Sequence, residues 1–107
     1  MTELSTADLQ TLQAQLQGVQ AAVEAPMAFE RGDPDKRRIH EIQGLVAFIL
    51  QGELSAGNAA RLLQLVDQLR LLFEEIVGVG IRVSMKPAMR LVASSLALLR
   101  GVTREAS

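Results

Sequence analysis

The chain has 107 residues, enough for one domain that buries somewhat over ~60% of the surface its unfolded form exposes. It is 49% hydrophobic and 21% charged, with a net charge of -1 and no cysteine, which excludes disulfides, thiolate catalysis and cysteine-containing zinc sites. Only three aromatics, Phe29, Phe48 and Phe73, are available to anchor a core, so Leu, Val, Ile and Ala must supply nearly all of it, the palette of packed helices.

The amino terminus "MTELSTADLQTLQAQLQ" lacks the basic patch and apolar run of a signal peptide. No window offers the uninterrupted apolar stretch of a transmembrane helix, and cytoplasmic residence is the resulting expectation. Charge is unevenly spread. Residues 1–30 carry Glu3, Asp8, Glu24 and Glu30 and no basic side chain, while residues 82–104 carry Arg82, Lys86, Arg90, Arg100 and Arg104 and no acidic one. The two regions can attract each other within a subunit, between subunits, or attract different partners.

Ser5 or Thr6 caps a first helix, and Ser5 with Asp8 has the spacing of a capping box in which Asp replaces the preferred Glu. Leu9, Leu12, Leu16, Val19 and Val23 recur at helical steps and form one narrow seam, flanked by Gln10, Gln13, Gln15, Gln17 and Gln20. So slender a stripe predicts one neighbour or an edge position. Gly18 weakens the helix locally, and Pro26 ends it near Ala25.

In "PMAFERGDPDKRR", Asp33 is the expected cap of a second helix, with Pro34 at its first position. Ile39, Ile42, Leu45 or Val46, and Ile49 continue one face, but "LVAFIL" from Leu45 to Leu50 is apolar on every side. Such a segment belongs at the centre of the domain or in an oligomer interface. Gly52 ends this helix, Leu54 packs beneath the turn, and Ser55 caps a third helix. Its seam runs through Ala59, Leu62, Leu65 or Val66, Leu69, Leu72 or Phe73, and Ile76. The short connection predicts an antiparallel helical hairpin.

Val79, Ile81 and Val83 alternate with polar or small residues, so the segment 79–83 reads as an extended linker or a short strand. A last helix is expected from about Met85 to Leu99, capped by Ser84 and stopped by Gly101. Met85 or Met89, Val92, Leu96 and Leu99 form its seam. The expected fold is therefore all-α: a single helical domain over 1–107, with four helices, a central antiparallel hairpin, and flexible ends near 1–4 and 102–107. Two of the helices are broader in apolar surface than a small monomer easily covers, which predicts self-association or a constitutive partner.

No motif carries chemistry. His40 is the only histidine, and beside Glu41 it lacks the second histidine of an H-E-x-x-H site. Glu74 and Glu75 are adjacent on a helix and point apart, unlike a pair held for acid and base work. Ser84 and Lys86 do not have serine acyl-transfer spacing, "GVG" at 78–80 does not extend to a dinucleotide loop, and "RGD" at 31–33 reads as linker and cap. No enzyme and no cofactor is expected.

Two basic groups remain. "DKRR" places Lys36, Arg37 and Arg38 on the first turns of the second helix, and Lys86 and Arg90 share one face of the last helix, with Arg82 preceding them. Lys36, Arg37, Arg82, Lys86 and Arg90 are the candidate contacts to a phosphate or an acidic protein surface. The expected function is a non-catalytic interaction or assembly module: an adaptor, small chaperone or regulatory subunit, self-associating or bound to another protein. The alternative is nucleic-acid binding through the basic residues, with Asn58, Arg61 and Gln64 on a recognition helix.

Overall fold

The computed structural model describes residues 3–24, 36–77 and 85–105. It is all-α, with helices α1 (Thr6–Glu24), α2 (Lys36–Phe48), α3 (Ala59–Val77) and α4 (Lys86–Glu105), and a π-helical turn, Ile49–Glu53, that extends α2. The proposed cap at Asp33, the segment 79–83 and Arg82 lie outside the described residues.

Each helix packs against two neighbours, in the cyclic order α1, α2, α3, α4, and the diagonal pairs make no close backbone approach among the described residues. Polar contacts fix the directions. Arg38 meets Glu75 while Arg61 meets Glu53, so α2 and α3 run antiparallel, as the short connection predicts. Gln15 meets Ser95, and Gly18 approaches Leu91, so α1 and α4 are antiparallel too. The side-chain amide of Gln43 donates to the Val23 carbonyl at 2.9 Å, while Leu4 N–H donates to the Ala56 carbonyl at 2.8 Å, tying the start of the chain to the α2–α3 connection. The result is an up-down-up-down bundle.

The apolar periodicity closes one core. Leu12, Leu16, Val19 and Val23 of α1 meet Ile39, Ile42, Val46 and Ile49 from α2 and its turn. Both Leu65 and Val66 of α3 are buried, as are Leu62, Leu69, Phe73 and Ile76, and α4 contributes Met85, Ala88, Val92, Leu96 and Leu99. Where the pattern left a choice, Val46, Phe73 and Met85 take the inner positions. Leu45, Leu72 and Met89 pack half-buried around them.

The helix ends show which local signals prevail. The box on α1 forms as expected: Ser5 Oγ accepts from Asp8 N–H at 3.0 Å, and Asp8 Oδ2 accepts from Ser5 N–H at 3.3 Å. For α3 the expectation is corrected, because Asn58 and not Ser55 is the cap. The Asn58 carbonyl accepts the first helical bond from Leu62 N–H, and its side-chain amide donates back to the Glu53 carbonyl and carboxylate. Gly52 does not end α2 either, since the π-helical turn carries the chain to Glu53. Nor does Gly101 stop α4. Thr103 Oγ1 donates to the Leu99 carbonyl at 2.9 Å across that glycine, and Arg104 supplies the cation that a helix carboxyl end favours.

The reading of α1 as an edge helix is also corrected, because α1 packs against both α2 and α4. Its second contact stripe consists of Gln15, Gly18 and Ala22, too polar or too small to register as a hydrophobic seam. A Cβ added at Gly18 would sit 2.7 Å from Leu91 Cδ1, so α4 uses the space that glycine leaves.

Candidate partner-binding surfaces

The antiparallel ring brings the starts of α2 and α4 to the same pole as the ends of α1 and α3. The two basic groups, far apart in sequence, therefore share one end of the bundle. Arg37 is exposed in the first turn of α2, and Lys86 and Arg90 are exposed one turn apart on α4. Lys36 is the first residue of α2, at this same pole.

The pole is not uniformly basic. Going round it, Glu24 closes α1, Arg37 and Arg38 open α2, Glu74 and Glu75 stand near the end of α3, and Lys86 and Arg90 open α4. Each of these charges has the wrong sign for its own helix dipole, since helix starts favour anions and helix ends favour cations. Neighbouring helices offset part of that cost. Arg38 Nε lies 2.9 Å from Glu75 Oε2, and Arg37, Arg38, Glu41 and Glu75 line an open recess of about 520 Å³. With two guanidinium groups and two carboxylates, the recess suits polar partner groups of either sign.

Glu74 and Glu75 do point apart: Glu75 reaches α2, and Glu74 accepts from Arg70 on its own helix at 2.6 Å. Arg70 also donates to Asp67, and these two hydrogen bonds, that to Asp67 foremost, hold its guanidinium pKa above the ordinary arginine value.

At the opposite pole the candidate recognition residues are engaged within the chain. Asn58 bonds Glu53, and Arg61 Nε donates to the same carboxylate at 3.1 Å, so both close the hairpin corner; Gln64 is exposed. Because Arg38 meets Glu75 and Arg61 meets Glu53, residues 52–58 form the corner of an antiparallel helical hairpin.

The apolar surface of α2 and α3 is mostly covered by this chain. What the bundle leaves out is specific: among the described residues, Phe48 and Leu71 are the exposed large apolar side chains, at 48% and 46%. Phe48 sits within the all-apolar run, whose Leu45, Ala47 and Leu50 are half-buried, and its ring stands out on the outer side of α2. Leu71 stands alone among polar neighbours on the outer side of α3. A smaller apolar recess of about 220 Å³ lies between α3 and α4, lined by Phe73, Met89, Val92 and Ala93 with Arg70 and Glu74 at its rim.

Among the described residues, no group of three or more His, Cys, Asp or Glu side chains could hold a metal ion, and no helix is long and apolar enough to cross a membrane. No family model, curated protein or solved structure matches the chain, so its function has to be argued from this geometry.

Proposed function

We propose that this protein is a non-catalytic interaction or assembly module that works in the cytoplasm and engages its partner through apolar helix surface, with charged rims setting orientation. The observation that carries this reading is Phe48. An aromatic side chain left 48% exposed, inside a run whose other members lie buried or half-buried, is apolar surface that this chain leaves uncovered, whereas a lone exposed leucine such as Leu71 is ordinary. Light scattering coupled to size exclusion, from micromolar to millimolar protein, tests it. The expected result is mass that rises with concentration, or a stoichiometric copurifying partner. A strictly monomeric particle with no partner, unchanged by Phe48→Ser, overturns it.

A second reading, nucleic-acid binding, draws support from the gathering of Arg37, Lys86 and Arg90 at one pole. Phosphate binding needs several cations without compensating acids, and here Glu24, Glu41, Glu74 and Glu75 share the same end. The net charge of -1 gives little long-range attraction. A mixed-sequence duplex is therefore expected to bind weakly or not at all. Tight binding that falls steeply with salt and disappears in the Lys86→Glu, Arg90→Glu double variant would make this the better account.

A further inference from the structure

We infer that this chain forms a two-fold dimer through its α3–α4 face, with α3 of each protomer laid against α4 of its partner. This contact is separate from the Phe48 surface and goes beyond the reading built on it.

The two banks of that face carry complementary stripes. On α3, Asp67, Leu71 and Glu74 follow one another at helical steps, an exposed leucine between two carboxylates. Arg70 bonds both acids, which leaves this bank with negative charge in excess. On α4, Arg90, Ala93, Ala97 and Arg100 are all exposed, two small residues between two cations, and the helix has no acidic residue before Glu105. The levels of the two stripes match as well. Asp67 Oδ1 lies 3.8 Å from Arg100 across the groove, and Glu74 and Ala93 line the same apolar recess. Since α3 and α4 are antiparallel α-helices of equal rise, Leu71 stands level with the turn between Ala93 and Ala97, and Glu74 lies one turn from Arg90.

A two-fold axis parallel to the bundle, centred on this face, exchanges the two banks without changing level. Each Leu71 then falls between the partner's Ala93 and the partner's Ala97, where short side chains leave room for it. Asp67 meets the partner's Arg100 and Glu74 meets the partner's Arg90, so acid opposes base on both sides at once. The apolar recess of about 220 Å³ opens on the same face, and docking removes its lining from water. An axis across the helices would instead lay α4 on α4, where cations meet only cations or neutral side chains in every register. Charge therefore selects the parallel axis. It also selects the occupant, because a second copy brings the acidic stripe and the basic stripe together, each at the level the other needs. A contact of this extent falls at the small end of protein interfaces, below ~1,200 Å² in total, so the dimer should form at micromolar or higher concentration.

Sedimentation equilibrium over micromolar to millimolar protein, with melting of dilute samples as the folding control, tests the proposal. Wild type should dimerise reversibly, and more weakly as added salt screens the opposed charges. Glu74→Lys and Arg90→Glu should each weaken the dimer at least about tenfold. An equimolar mixture of these two variants should recover it, since every like-charge contact becomes a pair of opposite sign. Leu71→Ser should weaken the dimer, and Phe48→Ser should leave it unchanged. Because the chain has no cysteine, mixing Leu71→Cys with Ala97→Cys chains under mild oxidation reads the geometry: the mixed disulfide should dominate over either self-pair. A dimer indifferent to the charge variants, one not recovered on mixing them, or a dominant Ala97→Cys self-pair overturns this docking. A dimer lost in Phe48→Ser and kept in Glu74→Lys also overturns it, while the Phe48 reading stands. Wild type that stays monomeric at millimolar concentration and low salt overturns the second copy as occupant of this face.

Discussion

Ser95 Oγ donates to Gln15 Oε1 at 2.7 Å across the α1–α4 interface, and Ser95 is fully buried where its neighbours Val92, Leu96 and Leu99 are apolar. The two ends of this bond are unequal. Gln15 is only half-buried and can turn to water if Ser95 is removed, so Ser95→Ala should cost under about 1 kcal/mol. Replacing Gln15 by Leu strands a buried hydroxyl and should cost about 1–2 kcal/mol. The double variant, apolar on both sides, should recover most of that loss. Urea unfolding of the four chains measures the coupling, and purely additive losses would show that the pair does not act as one unit.

Gly18 and Leu91 form a second coupled pair on the same interface. Alanine at Gly18 gains roughly 0.5–1 kcal/mol of helix propensity but forces Leu91 Cδ1 out of a 2.7 Å clash. Leu91 is half-buried and its methyl is the far end of a flexible chain, so the two effects should nearly cancel. In a Leu91→Ala background the clash disappears and Gly18→Ala should stabilise by the full propensity gain. A Gly18→Ala effect of the same size in both backgrounds would mean that α4 does not rely on the glycine.

These two pairs mark where the sequence stopped being legible. The four helices and their inward seams follow from apolar periodicity, since Leu12, Leu16, Val19 and Val23 repeat at helical steps and all are buried, and the antiparallel hairpin follows from the short connection between α2 and α3. The second face of α1 did not follow, because Gln15 and Gly18 carry no apolar signal and act only through what α4 places opposite them. The same holds for Asn58 against Ser55: both are good caps by residue type, and in the folded corner Asn58 takes the position with its side-chain amide bonded to Glu53. Lys86 and Arg90 were legible as a basic pair, but not the acids of α1 and α3 that surround their pole, because that neighbourhood is set by the ring order of the helices. Phe48 was readable as part of an apolar run, but its exposure was not, because the ring order of the helices decides which side of α2 faces out.

The capping box at the start of α1 holds a part of the chain that also reaches the α2–α3 connection through Leu4. Ser5→Ala removes the acceptor for Asp8 N–H and should cost about 1 kcal/mol, whereas Ser5→Asp, which keeps an oxygen and adds favourable charge, should be close to neutral. Hydrogen exchange at Leu4 and Asp8 should rise in the alanine variant and not in the aspartate one. Equal protection in both would assign the anchoring to Leu4 burial alone.

Lys86 gives the sharpest separation of stability from function. It is an exposed cation at the first residue of α4, where the helix dipole favours an anion, and α4 has no acidic residue in its first turn. Lys86→Glu should therefore stabilise the dilute protein by roughly 0.3–1 kcal/mol at low ionic strength, with the gain shrinking as salt screens it. A nearby Glu24 or Glu74 would oppose this, and repulsion from either would appear as a gain smaller at low salt than at high salt. A stabilised variant that keeps wild-type association would show that Lys86 serves neither folding nor self-association. A destabilised variant would show that the carboxylates around the pole already hold Lys86 in place, and that the basic pair is part of the scaffold.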